Sequence, residues 1–193
     1  MNLTRNLITA VLTTVVTTLL LGVAYPLVVT GLAQVLFPSK ANGQLIERGG
    51  KIIGSRIIGQ AFSSPGYFRS RPSAAGTGYD AANSAGTNLG PTNKKLIDAV
   101  GAAVEAAKKD NSSAPVPIDL VTSSASGLDP HISPAAALFQ VPRVARERGV
   151  PEGTIGRLVQ AHIQGRQLGF LGEPVVNVLE LNLSLDERHP MKR

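Results

Sequence analysis

The sequence predicts a single-pass N-terminal transmembrane helix followed by one mixed α/β domain. The first observation is a run from residue 6 to residue 39 that has no charged side chain and lies between Arg5 and Lys40. A helix that crosses the bilayer core needs about 20 mostly apolar residues, and a lone spanning segment satisfies its backbone hydrogen bonds as a helix. The second observation is that the rest of the chain mixes short β-branched runs with amphipathic helical stripes, separated by turn residues.

This pattern divides the chain into three predicted parts. Residues 1–6 form an N-terminal segment, residues 7–37 the anchor helix, and residues 38–193 one α/β domain large enough to bury its own core. The alternative for the apolar run is a secretory signal peptide with a small-residue cleavage site at Gly22–Ala24. The apolar run resumes after Pro26 and continues to Phe37, which a cleaved signal does not need. We therefore predict an uncut anchor.

Small residues recur along the anchor at every seventh position: Ala10, Thr17, Ala24 and Gly31. Small side chains let two membrane helices approach closely, so these positions are candidates for a surface that faces a partner helix. The alternative is that such residues are simply tolerated in membrane helices, and Pro26 can break their common phase. A single span cannot enclose a pore, so a role in transport would require other subunits.

Composition narrows the possible partners. The net charge of +6 suggests an acidic partner or an anionic lipid surface, whereas no dense run of lysine and arginine indicates nucleic acid. Aromatic residues make up only 4% of the chain, and the absence of cysteine excludes disulfides and thiolate chemistry. The charges do not decide the orientation of the anchor helix in the membrane, because Arg5 precedes the helix while Lys40 and further basic residues follow it.

The domain shows helix and strand signals of unequal strength. Short β-branched runs predict strands, as does the alternation of leucine with polar residues near the C-terminus. Apolar stripes with a capping residue predict helices, one of them interrupted at Pro142. The predicted strands are 118–122, 179–185, and the two runs 51–53 and 56–58, which form either a pair of strands or one bent strand. One predicted helix starts at Thr92 or Asn93 and ends near Lys109, a second runs from Ser133 to Gly149, and a third spans 154–164. Residues 63–91 form a long predicted loop.

Candidate chemistry is sparse in this sequence. The three histidines are too scattered for a zinc site, and no metal site is predicted. Ser126, Asp129 and His131 are the residue types of a hydrolase triad, but no Gly-x-Ser-x-Gly turn surrounds the serine. The alternative is a capped turn, with Asp129 before Pro130 and Ser133 before Pro134. No firmly bound cofactor and no cofactor-binding residues are predicted.

Five motifs together resemble one known family. They are GQAF at 59–62, PGYFRSRPS at 65–73, SAGTNLGPTN at 84–93, DLVTSSASGLDPHISP at 119–134 and GFLGEPVVNVLELN at 169–182. These stretches are similar to the C subunit of the bacterial Kdp potassium-transporting ATPase. The resemblance extends over essentially the whole chain, including the anchor.

The resemblance implies a non-catalytic accessory subunit of an ATP-driven, high-affinity potassium uptake complex. Its partners would be a channel-like potassium-binding subunit, a P-type ATPase subunit, a small single-span subunit and membrane lipid, with no nucleic acid. The family is described as a catalytic chaperone that raises the ATP affinity of the pump subunit, so ATP is a possible ligand by resemblance only. The resemblance also implies a bacterial inner-membrane location, with residues 1–6 cytoplasmic and residues 38–193 periplasmic. The alternatives are a membrane-anchored periplasmic hydrolase and a free-standing solute-binding protein.

The loop at 63–93 carries the strongest interface signal, because aromatic residues and arginine often supply interface energy. Tyr67 and Phe68 have a second possible role, which is to fill the core of their own domain. The predicted interface candidates are Ala10, Thr17, Ala24, Gly31, Gln60, Phe62, Tyr67, Phe68, Arg69, Arg71, Asn88, Asn93, Asp129, His131 and Ser133. Among these candidates, Tyr67, Phe68, Arg71 and the Asp129–Ser133 turn are predicted to cap or stabilise the outer face of the channel-like partner.

Overall fold

The chain consists of two compact units, which meet in sequence between Leu45 and Ile46. The computed structural model describes residues 2–191, so positions 1, 192 and 193, at the ends of the predicted parts, lie outside the described residues. Each unit has a separate architecture, apolar helix in the first and mixed helix and strand in the second. The predicted fold class is therefore confirmed.

The N-terminal unit is built from consecutive helical segments. These are α1 (Leu3–Thr17), a π-helical segment (Thr18–Ala24), α2 (Tyr25–Leu36) and the short α3 (Pro38–Ala41). From Leu3 to Leu36 the helix has 34 residues, which corresponds to about 51 Å at an α-helical rise and exceeds a hydrocarbon core of about 30 Å. None of the side chains in α1 and α2 is buried, as expected of a helix whose apolar surface faces lipid.

Within the residues that the structure describes, the second unit combines two small sheets with four α-helices. Its elements are β1 (Leu45–Arg48), β2 (Lys51–Ser55), α4 (Lys94–Asp110), β3 (His131–Ile132), α5 (Pro134–Arg148), α6 (Glu152–Ala161), β4 (Ile163–Gln164), β5 (Val175–Asn177) and α7 (Val178–Arg188). β1 pairs with β2, and the other three strands form an antiparallel sheet in the order β3-β5-β4, with Ile132 and Ile163 both opposite Val176. Side chains from α5, α6, α7 and this sheet form one hydrophobic core.

The predicted starts of two helices are confirmed by the side chains that cap them. The side chain of Asn93 accepts a hydrogen bond from the backbone N–H of Lys95 at 2.9 Å and caps α4. The hydroxyl of Ser133 accepts from the N–H of Ala136 at 3.0 Å, with Pro134 at the first position of α5. Both caps satisfy N–H groups that have no partner within the helix, which is why such residues mark helix starts reliably.

The predicted strand at 179–185 is wrong, because these residues belong to α7. Val178, Leu181, Asn182 and Leu185 are buried, and their spacing of three and four residues places them on one helical face. Asn177 caps the helix by accepting the N–H of Glu180 at 3.2 Å. Leucine and glutamate also favour helix over strand. Two of the alternating leucines, Leu181 and Leu185, are therefore part of an apolar stripe along one face of α7.

Four further elements differ from the prediction in type, continuity or bounds. Residues 118–120 form a 3₁₀ turn after Pro117, in which the hydroxyl of Thr122 donates to the carbonyl of Ile118. Residues 56–58 lie outside β2, which pairs instead with the unpredicted β1 across the Gly49–Gly50 turn. Pro142 lies inside a continuous α5. Helix α6 starts two residues before the predicted position and ends before β4.

Candidate docking surface

The PGYFRSRPS segment, residues 65–73, is bound to its own domain through buried side-chain amides. Asn182 accepts the N–H of Phe68 and donates to its carbonyl, both at 2.9 Å. Gln140 does the same for Arg69, accepting its N–H at 2.8 Å and donating to its carbonyl at 3.1 Å. Both amide side chains are almost fully buried. Each amide therefore replaces the partner strand that an extended segment would otherwise need.

Two buried arginines of α5 also bind this segment. Arg143 donates to the carbonyls of Pro65 and Tyr67, the latter at 3.0 Å, and its Nε lies 3.0 Å from a carboxylate oxygen of Asp110. Burial, together with repulsion from Arg69, lowers the pKa of Arg143, and the attraction of Asp110 opposes this shift. Arg148 donates to the carbonyl of Gly66 at 2.8 Å.

Sequence reasoning missed these four polar side chains, Gln140, Arg143, Arg148 and Asn182. One signal was available in α5, where buried positions continue through Val144 and Ala145 and the arginines lie on the same side. Charged side chains on an apolar helix face need partners, because an unpaired buried charge is costly. The partners lie more than 70 residues away in the chain, which no local pattern specifies.

The three aromatic residues among the predicted interface candidates differ in burial. Phe68 is fully buried in the hydrophobic core, and Phe62 is partly buried against it. Tyr67 is half-buried: its hydroxyl donates to Asp186 at 2.9 Å, and the Arg148 guanidinium lies 4.8 Å from its ring centroid. Burial and the bond to Asp186 raise the pKa of Tyr67. Phe68 therefore fills its own core and has no surface to offer a partner, whereas the edge of Tyr67 reaches solvent.

Arg71, within this segment, lies beside Asp129, which in turn contacts His131. Arg71 Nη1 lies 3.3 Å from Asp129 Oδ2. The other two guanidinium nitrogens of Arg71 donate to the carbonyls of Thr122 and Ser123. Asp129 Oδ1 accepts the backbone N–H of His131 at 3.0 Å, with the His131 ring 3.7 Å away. Burial opposes ionisation of Asp129, but the hydrogen bonds from His131 and the charge of Arg71 outweigh it and lower the pKa of the carboxyl.

The hydroxyls in this region act as turn and helix caps. Ser126 Oγ accepts the N–H of Leu128 at 3.1 Å, and between residues 2 and 191 no hydrogen bond joins Ser126 to His131. Besides capping α5, Ser133 donates to Asp119 at 3.1 Å. This geometry matches the capped turn and does not assemble a triad, since a nucleophile must lie within hydrogen-bond reach of its base.

The remaining candidates of the domain lie apart from one another. Gln60 donates to the carbonyl of Ile53 at 3.3 Å, beside β2. Arg69 is exposed and pairs with Asp110 at 3.3 Å. Asn88 lies on an exposed loop with a φ of 52°, a conformation that asparagine tolerates better than most residues. Asn93 is the cap of α4 described above, and the structure brings neither asparagine to the Arg71 cluster.

A cleft of about 360 Å³ lies between the 65–73 segment and the C-terminal half of α4. Its walls are mostly apolar, and Phe62, Ala107, Arg69 and Arg71 are among the lining residues. Both arginines are already paired with carboxylates, so an anionic ligand would have to displace these pairs. No group of three or more potential metal ligands from histidine, cysteine, aspartate or glutamate occurs within residues 2–191.

The small residues of the anchor fall on both sides of the π-helical segment. Ala10 and Thr17 lie in α1, Ala24 ends the π-helical segment, and Gly31 lies in α2 with open space around it. A π-helical turn closes i→i+5 hydrogen bonds and takes more residues than an α-helical turn. Positions seven apart across this segment therefore lose their common face. The Thr17 hydroxyl donates to its own helix, at the carbonyl of Thr13.

The fold and the site define a class of protein: a single apolar span that carries one mixed α/β domain, in which the 65–73 segment is hydrogen-bonded to its own domain. A family model described as KdpC, K⁺-transporting ATPase, c chain, matches residues 7–187. Over 187 residues, 97% of each chain, the sequence is 64% identical to the potassium-transporting ATPase KdpC subunit of Koribacter versatilis. Proteins of the same name from Rhodospirillum rubrum and Acidobacterium capsulatum are 61% and 54% identical, covering 90% and 96% of this chain and 91% and 100% of their own.

The chain therefore belongs to the KdpC family, and the predicted resemblance is confirmed. The match includes both the apolar helix and the α/β domain, which agrees with a membrane-anchored protein. The two alternatives, a hydrolase and a free-standing solute-binding protein, find no support in these comparisons.

Proposed function

We propose that this chain is a non-catalytic accessory subunit of an ATP-driven, high-affinity potassium uptake complex. The observation that carries the proposal is the family match over residues 7–187, which leaves only short ends unmatched. Because one span cannot enclose a pore, the chain acts together with a channel-like potassium-binding subunit, a P-type ATPase subunit and a small single-span subunit. The capped turn at Asp129–Ser133 gives no support for catalysis by this chain itself.

The proposed orientation places the N-terminus in the cytoplasm and the α/β domain in the periplasm. Positive charges flank the helix on both sides, and long translocated domains often escape the positive-inside rule, so this proposal depends on the family resemblance. The chain has no cysteine, which allows a clean test. A single Ser113→Cys variant should react with a membrane-impermeant maleimide in spheroplasts, whereas Thr4→Cys should react only after lysis. The reverse pattern would overturn this orientation.

The proposed contribution of the domain is to cap the outer face of the channel-like subunit. Tyr67, Arg71 and the Asp129–Ser133 turn offer polar and aromatic surface for this contact, and buried Phe68 supports the segment from behind. The family is described as raising the ATP affinity of the pump subunit. In the proposed orientation ATP and the domain lie on opposite sides of the membrane, so we assign this effect to subunit contacts and not to ATP bound by this chain.

Purification of the complex tests the proposal. With an affinity tag on this chain and co-expression of the other subunits, the larger subunits should co-purify in mild detergent with potassium-stimulated ATPase activity. A variant truncated after Leu45 tests what the domain adds, and it should recover less complex at equal expression. Recovery of the full-length chain alone, as a monomer, would contradict the proposal.

A further inference from the structure

The connection between β4 and β5 presents large apolar side chains to solvent. Gln167 and Leu171 pair as an antiparallel bridge, with N–H to carbonyl distances of 2.9 Å in both directions. Beyond this bridge, Leu168 is 82% exposed and Phe170 68% exposed, and Leu171 is 47% exposed. We call these three side chains the hairpin tip. An exposed apolar cluster on an ordered turn commonly marks a binding surface.

The backbone conformation at the tip is unfavourable for Leu168. Leu168 and Gly169 have φ angles of 53° and 82° and are the central residues of a turn closed by the Phe170 N–H to the Gln167 carbonyl at 3.2 Å. Turns with positive φ at both central positions favour asparagine, aspartate or glycine at the first of them. Leucine there is disfavoured by conformation and gains nothing from burial. Folding therefore does not explain this residue, whereas binding would.

We propose that the hairpin tip docks into an apolar pocket on another protein subunit of the potassium-transporting complex. This inference rests on the proposed function, because it needs a complex in which such a subunit is present. The turn is held by its own backbone hydrogen bonds, so little ordering cost accompanies docking. Three large apolar side chains on one convex turn match the small, well-packed clusters that supply most of the energy of an interface.

The surroundings of the tip favour a protein pocket over a lipid surface. Arg166 and Glu173 form an ion pair of 2.7 Å at the base of the hairpin, and they are the only charged residues between Ile163 and Val175. Segments that lie on membranes usually combine apolar residues with uncompensated cations that attract anionic lipid. Here the charge is balanced. The exposed amides of Gln164 and Gln167 surround the apolar tip with polar groups, as in protein interfaces.

Photo-crosslinking in the assembled complex tests the proposal directly. Phe170 is replaced by benzoylphenylalanine, and Ile97, which is 56% exposed on α4 and lies outside both the hairpin and the Arg71–Asp129 surface, is replaced in a separate control. Position 170 should give an adduct with one protein subunit, several-fold stronger than any adduct from position 97. An intact complex with no protein adduct, or with lipid adducts only, would overturn the docking proposal and leave the proposed function standing. Failure to obtain any complex would overturn both.

Leu168→Asn separates docking from folding. Asparagine suits positive φ better than leucine, so the melting temperature of the full-length chain in detergent should stay equal or rise by about 1–3 °C. Recovery of the complex should nevertheless fall by about tenfold, as expected when an interface anchor is lost. Ile97→Asn, the matched control on α4, should leave recovery of the complex unchanged. A lower melting temperature for Leu168→Asn, or unchanged recovery of the complex, would show that the tip does not dock.

Discussion

The side-chain amide of Asn182 pairs with both backbone polar groups of Phe68, at 2.9 Å in each direction. Asn182 lies on α7 and Phe68 on the 65–73 segment, 114 residues earlier in the chain. Both residues are buried, so neither the N–H nor the carbonyl of Phe68 can turn to water instead. This pairing fixes the segment to the core and thereby positions Tyr67 and Arg71 at the surface.

Asn182→Ala should destabilise the domain by roughly 2–4 kcal/mol, because two buried backbone groups lose their partners at once. Urea denaturation of the full-length chain, followed by circular dichroism, measures the change. Asn88→Gly is the control, since glycine adopts the positive φ of this exposed loop position without strain. If both variants were equally stable, the amide pairing would contribute nothing.

Arg143→Met should cost about 3 kcal/mol, because it leaves two carbonyls and the Asp110 carboxylate without their buried partner. Arg143→Lys should recover only part of this loss, since an ammonium cannot reproduce the geometry of the guanidinium. Arg146→Met, two-thirds exposed on the same helix, should change the stability by less than about 0.5 kcal/mol. The ranking is measured by thermal denaturation, and equal effects at positions 143 and 146 would contradict it.

The lowered pKa of Asp129 predicts a defined pH dependence. A carboxyl whose pKa is lower in the folded state stabilises the fold above its unfolded pKa of about 3.9, and this contribution is lost as the pH falls through the folded value. Asp129→Asn should therefore be less stable than the parent at pH 7, and the difference should shrink toward pH 3. Denaturation at both pH values measures it, with Asp98→Asn, an exposed ion-pair variant, as the control. A difference that is constant with pH would refute the assignment.

Gly31→Leu and Ala24→Leu should lower the yield of complex in detergent, because bulk at these positions prevents close approach of a partner helix. Leu20→Ile, a volume-conserving change in the same span, should be nearly silent. Ala10 precedes the π-helical segment and therefore lies on a different face of the helix from Gly31. The effect of Ala10→Leu on the yield should be independent of the effect of Gly31→Leu. Equal yields for all four variants would exclude a packing role for the anchor.

The chain should not bind potassium tightly when it is separated from its partners. Potassium needs several oxygen ligands, whereas residues 2–191 contain no cluster of three or more acidic or histidine side chains, and the net charge of +6 disfavours cations. Titration calorimetry of the purified chain in detergent with potassium chloride, and with sodium chloride as control, should show no sub-millimolar binding. Potassium-specific heat in that range would instead identify an ion-collecting subunit.

Local signals predicted the parts of the fold that depend on local chemistry. The anchor follows from the uncharged run between Arg5 and Lys40, and the starts of α4 and α5 follow from Asn93 and Ser133, whose side chains satisfy N–H groups only two or three residues away. The Asp129–Ser133 turn was likewise predictable as a capped turn. In each case the atoms that decide the structure are neighbours in sequence.

By itself, the sequence determined the membrane span, the fold class, the helix caps and the family. The tertiary structure alone decided that the alternating leucines of 179–185 form a helix, because burial of Leu181 and Leu185 against the core outweighs local alternation. It also decided that Phe68 faces inward, held by Asn182 and enclosed by the core. Both outcomes depend on contacts between residues far apart in sequence, and the free energy of burying those residues exists only once the chain has brought them together.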